Sequence, residues 1–152
     1  MDTVYDQIKE GKPPICTYGP IIHNEMVVAD LKRHGVVEID DEAQLSGIRE
    51  GTVVIRSHGV PERVYDQIRG QGLKLVDATC PYVKKIHQIV KEKSAEGFQI
   101  VIIGNAHHPE VEGIMGWCSS PAIVIGTEEE AQNLWRVAFR SPFVSSARQP
   151  LI

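Results

Sequence analysis

Residues 52–61 read TVVIRSHGVP, and this stretch decides the fold class. Its first four residues are β-branched without alternation, which is typical of a strand buried on both faces of a parallel sheet. Gly59 follows in a turn, and Pro61 stands where a first helical turn would begin, the position that proline tolerates best. The stretch therefore predicts a strand, a tight turn and a helix in succession.

The same pattern recurs along the chain. Further strand candidates lie at residues 15–19, 36–39, 73–76, 99–103, 122–125 and 137–139, and helix candidates at 24–34, 41–49, 61–69, 81–96, 109–117 and 128–135. Alternating strands and helices imply right-handed βαβ crossovers, so we predict an α/β fold of repeated small units, with parallel sheets flanked by helices. A soft boundary near Cys80 divides the chain into two predicted units, 1–80 and 81–152.

Composition excludes several classes of protein. The chain has 152 residues, 42% of them hydrophobic, which is ample for a packed core. A net charge of −4 argues against a general binder of nucleic acids or membrane surfaces. No apolar run approaches the roughly 18–20 residues of a membrane span, and the N-terminus has no signal-peptide pattern. Three cysteines without a CxxC pair indicate a reducing, cytoplasmic context rather than a disulfide framework.

Residues that could carry chemistry follow four of the predicted strands. In parallel α/β sheets, ligands bind outside the carboxyl ends of the strands, so we expect these side chains to lie toward one side. They are His23 after the first strand, His58 after the third, Cys80 after the fourth, and His107, His108 and Glu110 after the fifth.

The histidines His23 and His58 both precede predicted helix N-termini. Free N–H groups and the helix dipole favour anions there, so the pair is suited to a phosphate or diphosphate group. The alternative is that each histidine is a turn residue hydrogen-bonded to the backbone.

The cysteines divide into one functional candidate and two others. Cys80 directly precedes a helix that starts at Pro81, a place that stabilises a thiolate and predicts a nucleophile or metal ligand. The alternative for Cys80 is a small buried residue at a tight turn. Cys16 lies within a strand and is expected to pack in the core, and Cys118 has no functional argument.

The segment from Gly104 to Gly113, GNAHHPEVEG, combines histidines with an acid at a strand end. Glu110 is a candidate proton donor if burial keeps its carboxyl protonated. The alternative is that Glu110 only complements the helix dipole. Glu112 is expected to point away, and His34 and His87, on predicted helices, are expected to be structural.

Four motifs in this order resemble one family: IIHN at residues 21–24, SHGV at 57–60, DATCP at 77–81 and HHPEVEG at 107–113. They resemble the 4-hydroxy-3-methylbut-2-enyl diphosphate reductases, the LytB-type enzymes of the non-mevalonate isoprenoid pathway, from about residue 1 to about residue 139. The resemblance implies a [4Fe-4S] cluster held by three cysteines, one from each of three α/β units. It also implies reductive removal of an allylic hydroxyl, with electrons from an external donor of the ferredoxin or flavodoxin type.

Position by position, the resemblance makes Cys80 a cluster ligand and Glu110 the proton donor. By the same resemblance, His23, His58 and His108 become contacts to the diphosphate substrate. Thiolates suit iron–sulfur clusters, and a carboxylic acid suits a step in which hydroxide leaves as water.

The chain also departs from the family pattern. The family's first cluster cysteine precedes the opening helix, its third lies beyond residue 152, and residues 140–152 (RSPFVSSARQPLI) do not resemble it. We therefore expect a fragment with about two of the three units, inactive by itself. Two rival interpretations remain at this point: a zinc hydrolase using His23, His58, Cys80 or His108, and a non-catalytic phosphate-binding module.

Overall fold

The computed structural model describes residues 5–6, 8–9, 13–21 and 25–140. Strands and helices alternate in this part of the chain, which confirms the α/β prediction. The elements are β1 (Ile15–Tyr18), α1 (Glu25–Arg33), β2 (Val36–Ile39), α2 (Glu42–Ser46), β3 (Thr52–Ile55), α3 (Glu62–Gly70), β4 (Lys74–Asp77), α4 (Pro81–Ala95), β5 (Val101–Ile103), α5 (Pro109–Met115), β6 (Ile123–Ile125) and α6 (Glu128–Arg140).

The chain forms two compact units, Met1–Lys84 and Lys85–Ile152. In the first unit four parallel strands form one sheet in the order β2-β1-β3-β4. All four residues of β1 and all four of β3 are buried, because both strands lie in the middle of the sheet under its helices. The edge strand β2 instead exposes Val37. Central position therefore explains the unbroken apolar runs of β1 and β3.

The strand order reverses direction between β1 and β3. The chain runs from β1 to its neighbour β2 on one side, and from β3 to its neighbour β4 on the other side. At the carboxyl ends Tyr18 pairs with Ile55, so the two central strands finish at the same level. In open α/β sheets the crevice at such a reversal is where ligands bind. The loops that follow β1 and β3 leave the sheet at this reversal.

The second unit contains a two-stranded parallel sheet, in which β5 pairs with β6 in the register Val101 to Ile123. Its core is a cluster of Val90, Ile100 and Ile114. Ligands are expected at the carboxyl ends of strands within one sheet, so this rule predicts a common edge for His23, His58 and Cys80. It does not extend to the residues that follow β5, because β5 belongs to a separate sheet. Within the described part of the chain, no helix combines the length and apolar character needed to cross a membrane.

The strand predicted at residues 137–139 is wrong, because helix α6 continues through these positions to Arg140. The start of α6 is strongly defined: the Thr127 hydroxyl accepts from the Glu130 N–H at 3.2 Å, and the Glu130 carboxylate accepts from the Thr127 N–H at 3.1 Å. This reciprocal capping favours helix from the first turn onward. A three-residue apolar run by itself does not distinguish a strand from part of a helix.

Truncation of a central strand should be far more costly than truncation at the sheet edge. Ile55, on β3, is 0% exposed, so Ile55→Ala should lower the free energy of unfolding by about 2–5 kcal/mol through lost apolar burial and a residual cavity. Val37→Ala, at a site 51% exposed on β2, is the matched control and should cost well under half as much. Urea denaturation of the three proteins measures both effects, and equal losses would contradict the central placement of β3.

Candidate functional site

The turn after β3 carries His58 at the carboxyl edge of the first sheet. Gly59 donates its N–H to the Arg56 carbonyl at 3.1 Å and has a φ of 72°, a left-handed conformation that favours glycine. The side chain of His58 is half-buried in this turn. The structure therefore places His58 at the reversal between β1 and β3. The other predicted histidine of this edge, His23, lies outside the described residues.

A cation, Arg56, also lies at this reversal, and sequence reasoning missed it. Its guanidinium packs against Gly19, which follows β1 with a φ of 73°. A Cβ on Gly19 would collide with Arg56 Nη1 and come within 2.8 Å of Arg56 Cζ. Glycine at position 19 thus makes room for the arginine. The available signal was the place of Arg56 directly after a buried strand.

The turn that carries Cys80 is joined to the turn that carries His58. The Cys80 N–H donates to the Ser57 carbonyl at 2.9 Å, and the Ala78 N–H donates to the Ile55 carbonyl at 3.1 Å. The Cys80 carbonyl accepts from the Lys84 N–H at 3.0 Å, so Cys80 immediately precedes the first turn of α4. Its side chain is half-buried. The thiol therefore lies at the N-terminal end of α4.

An ion pair anchors the same turn to α4. Lys84 Nζ lies 2.7 Å from Asp77 Oδ2, and it also donates to the Asp77 carbonyl at 3.4 Å. Burial of Asp77 opposes its ionisation, but hydrogen bonds from Lys84 and Thr79 outweigh burial and lower the pKa of this carboxyl. Asp77 is therefore a carboxylate, and its charge is matched by Lys84.

The other two cysteines lie in packed surroundings. Cys16 is 3% exposed within β1, which confirms the prediction that it packs in the core, and burial raises the pKa of its thiol. The Cys118 thiol donates to the Ile114 carbonyl at 3.6 Å, and burial raises its pKa too. Among the residues that the structure describes, no group of three or more His, Cys, Asp or Glu side chains is arranged to hold a metal ion.

In the second unit, the turn after β5 brings His108 and Glu110 together. The Asn105 side chain accepts from the His107 N–H at 2.9 Å, and the Asn105 carbonyl accepts from the His108 N–H at 2.9 Å. His108 then caps α5: its Nδ1 accepts from the Glu110 N–H at 3.2 Å. Sequence reasoning did not foresee this capping role or the part that Asn105 plays in the turn.

The cap determines which nitrogen of His108 carries the proton. A ring nitrogen that accepts from an N–H group is unprotonated, so the neutral ring carries its proton on Nε2. Nε2–H is therefore a donor, the role that a contact to a phosphate oxygen needs. Glu110 is half-buried in the first turn of α5, whereas Glu112 is exposed, as expected.

The two remaining histidines have structural partners. His87 is 2% exposed and stacks on Trp117, with ring centroids 5.1 Å apart. His34 follows the last residue of α1, and its Nδ1 lies 2.9 Å from the Asp30 carbonyl. Both contacts agree with the structural role predicted for these residues.

Comparison with known proteins now decides the family. A model of one family, the LytB proteins, matches residues 1–147, nearly the whole chain. The chain belongs to the LytB protein family. Three curated relatives, all 4-hydroxy-3-methylbut-2-enyl diphosphate reductases, illustrate the similarity. The relative from Clostridioides difficile is 40% identical over 134 residues, which are 88% of this chain and 47% of the relative. The relative from Thermoanaerobacter sp. is 43% identical over 136 residues, with the same two coverages. The relative from Geobacter sulfurreducens is 47% identical over 127 residues, which are 83% of this chain and 43% of the relative.

Solved structures give the same result for this LytB chain. One, a structure of (E)-4-hydroxy-3-methyl-but-2-enyl diphosphate reductase, superposes with a TM-score of 0.73 at 40% identity over 87% of this chain. A second, the E-1-hydroxy-2-methyl-but-2-enyl-4-diphosphate reductase from Plasmodium falciparum, gives 0.79 at 28% identity over 88%. The matched parts are 47% and 41% of those structures. The chain thus spans about half the length of the curated relatives it matches.

Replacement of His108 should separate its structural role from its chemical one. Asparagine is a good N-cap, so His108→Asn should retain nearly full stability, whereas His108→Ala should lose about 1 kcal/mol of unfolding free energy with the cap. Urea denaturation measures both. The adjacent His107→Ala is the control, because it keeps the backbone N–H that His107 donates in the turn. Equal losses in His108→Asn and His108→Ala would contradict the capping role.

Proposed function

We propose that this LytB chain takes part in the reductive dehydroxylation of 4-hydroxy-3-methylbut-2-enyl diphosphate to isopentenyl and dimethylallyl diphosphates. The observation that carries the proposal is the hydrogen bond from Cys80 to Ser57, which joins a candidate metal ligand to the candidate anion-binding turn of His58. The crevice at the strand reversal is the place where such a sheet binds its ligand. The relatives named as reductases favour this function over a zinc hydrolase or a non-catalytic phosphate-binding module.

In this proposal histidines hold the diphosphate group. His58 lies in the turn at the reversal, and His108 offers Nε2–H as a donor because its Nδ1 is engaged in the cap. An imidazole N–H can donate a hydrogen bond to a phosphate oxygen. His23 is assigned the same role from the IIHN motif alone.

Cys80 is assigned as one ligand of a [4Fe-4S] cluster. The donor chemistry fits, since the thiol is half-buried beside the first turn of α4 and thiolates are the usual ligands of such clusters. Cys16, buried in the sheet, and Cys118, bonded to the Ile114 carbonyl, lack this setting. A cluster held in part by Cys80 would supply electron-transfer chemistry, with electrons from an external donor of the ferredoxin or flavodoxin type.

Glu110 is assigned as the proton donor. Loss of the allylic hydroxyl as water consumes two electrons and two protons, so an acid must protonate the departing oxygen and a carbon atom must receive the second proton. Glu110 is half-buried at the start of α5, whereas Glu112, two residues later, is exposed. This difference favours Glu110 as the group that faces a substrate.

The role of Glu110 is best tested where turnover can be measured, in a full-length relative. Replacement of the glutamate that aligns with Glu110 by glutamine should lower kcat by at least about 100-fold, since a general acid typically contributes that much, while substrate binding stays within a few-fold. The matched control is glutamine at the position of Glu112, which should leave kcat nearly unchanged. Equal kcat values for the two variants would overturn the assignment.

Whether this chain binds a cluster alone is a separate measurement. Because only one of its cysteines lies in a suitable turn, we expect anaerobic reconstitution to give iron and acid-labile sulfide far below one cluster per chain, and no turnover. The small amount of iron that does bind should decrease in Cys80→Ser and remain unchanged in Cys118→Ser. Stoichiometric iron and sulfide with a brown colour would contradict this expectation, and retention of iron in Cys80→Ser would contradict the ligand assignment.

A further inference from the structure

A buried tyrosine on α3 reaches the turn that carries Cys80. The Tyr65 hydroxyl donates to Asp77 Oδ1 at 3.2 Å and lies 3.0 Å from the Thr79 hydroxyl. Since the single proton of Tyr65 goes to Asp77, the Thr79 hydroxyl is the donor in the second bond. Tyr65 and Thr79 are each 4% exposed. The result is a directed chain of hydrogen bonds from Thr79 through Tyr65 to Asp77.

The Tyr65 phenol keeps its proton throughout the physiological range. Burial, the main cause, raises the pKa of Tyr65 to about 12; the Thr79 hydrogen bond opposes the rise and the neighbouring Asp77 adds to it. The hydrogen bond to Asp77 is therefore present at any pH at which the protein works.

The turn is held on its other side by α4. Asp77 Oδ1 also accepts the Thr79 N–H at 3.0 Å, while Asp77 Oδ2 pairs with Lys84 at 2.7 Å. Lys84 in turn donates its backbone N–H to the Cys80 carbonyl. One carboxylate thus ties α3, the turn and α4 together within three residues of the thiol. Contacts of this kind fix the direction in which a metal-ligating side chain points, which the turn alone would not fix.

We propose that Tyr65 and Lys84 are positioning residues for Cys80, acting through Asp77 to hold the 77–80 turn in the conformation that presents the thiol. This inference rests on the proposed role of Cys80 as a cluster ligand. Both residues act on the turn through their contacts with Asp77.

Amide hydrogen exchange in the intact chain tests the proposal without a cluster. Tyr65→Phe removes only the hydroxyl, and Lys84→Met removes only the charge. Each should speed exchange of the Cys80 N–H, which is bonded to the Ser57 carbonyl, by about three- to tenfold, the effect of losing one hydrogen bond on a local equilibrium. Amides of β3, which report global unfolding, should accelerate by a smaller factor.

Two variants on α4 serve as matched controls. Tyr82→Phe and Lys85→Met make the same chemical changes at exposed positions, and they should leave the Cys80 amide unchanged. If Tyr65→Phe and Lys84→Met accelerate the Cys80 amide no more than the β3 amides, the two residues are merely structural and the proposal is overturned. The absence of any acceleration would overturn it as well.

Failure of the proposed function would look different. The exchange experiment contains no iron, whereas the ligand role of Cys80 is judged by iron retained in Cys80→Ser. Suppose that the Cys80 amide exchanges faster in Tyr65→Phe, but that the iron content does not depend on Cys80. The positioning proposal would then stand, and the role of Cys80 as a cluster ligand would be rejected. Iron that depends on Cys80 without local acceleration would reject only the positioning proposal.

Discussion

The parallel pairing of β1 with β3 is the constraint on which the first unit depends. Both strands are buried along their whole length, so neither can leave the middle of the sheet without exposing apolar surface. Because β2 and β4 lie on opposite sides of this pair, the chain reverses direction between β1 and β3. The turns that follow β3 and β4 leave the sheet at its carboxyl edge, where the Cys80 N–H donates to the Ser57 carbonyl.

The candidate functional residues also build the local structure. Cys80 accepts the first hydrogen bond of α4 through its carbonyl, and His108 caps α5 through Nδ1. A helix start leaves N–H groups without helical partners, so a residue placed there both satisfies the backbone and faces outward from the sheet. This dual use explains why alanine is a poor probe of His108: it removes the cap and the imidazole together, whereas asparagine removes only the imidazole.

Two charged residues of the site are held by neighbouring groups. Asp77 is balanced by Lys84 and receives hydrogen bonds from Tyr65 and Thr79. Arg56 packs its guanidinium over Gly19 at the reversal. The Arg56–Gly19 contact joins residues 37 positions apart, because the parallel pairing of β1 with β3 brings their carboxyl ends to one level. The Tyr65–Asp77 contact joins residues 12 positions apart, because α3 packs against β4.

Local sequence was sufficient to predict most elements and to nominate the candidate site residues. The runs at β1 and β3, the helix-opening prolines 81 and 109, and the packing of Cys16 follow from burial periodicity and backbone restriction, which act over a few residues. The strand predicted at residues 137–139 is wrong because a three-residue apolar run carries too little periodicity to oppose a well-capped helix.

Only the tertiary structure decided which of these residues meet. By itself the sequence determined an α/β chain with a thiol, imidazoles and an acid after its strands, together with the motifs of the LytB family. It did not determine that Cys80 is hydrogen-bonded to Ser57, that Tyr65 is hydrogen-bonded to Asp77, or that His108 caps α5 through Nδ1. The first two are contacts between separate elements. All three require a donor and an acceptor atom to lie within hydrogen-bonding distance of each other. Such geometry is set by strand order and packing, and neither is encoded in a local pattern.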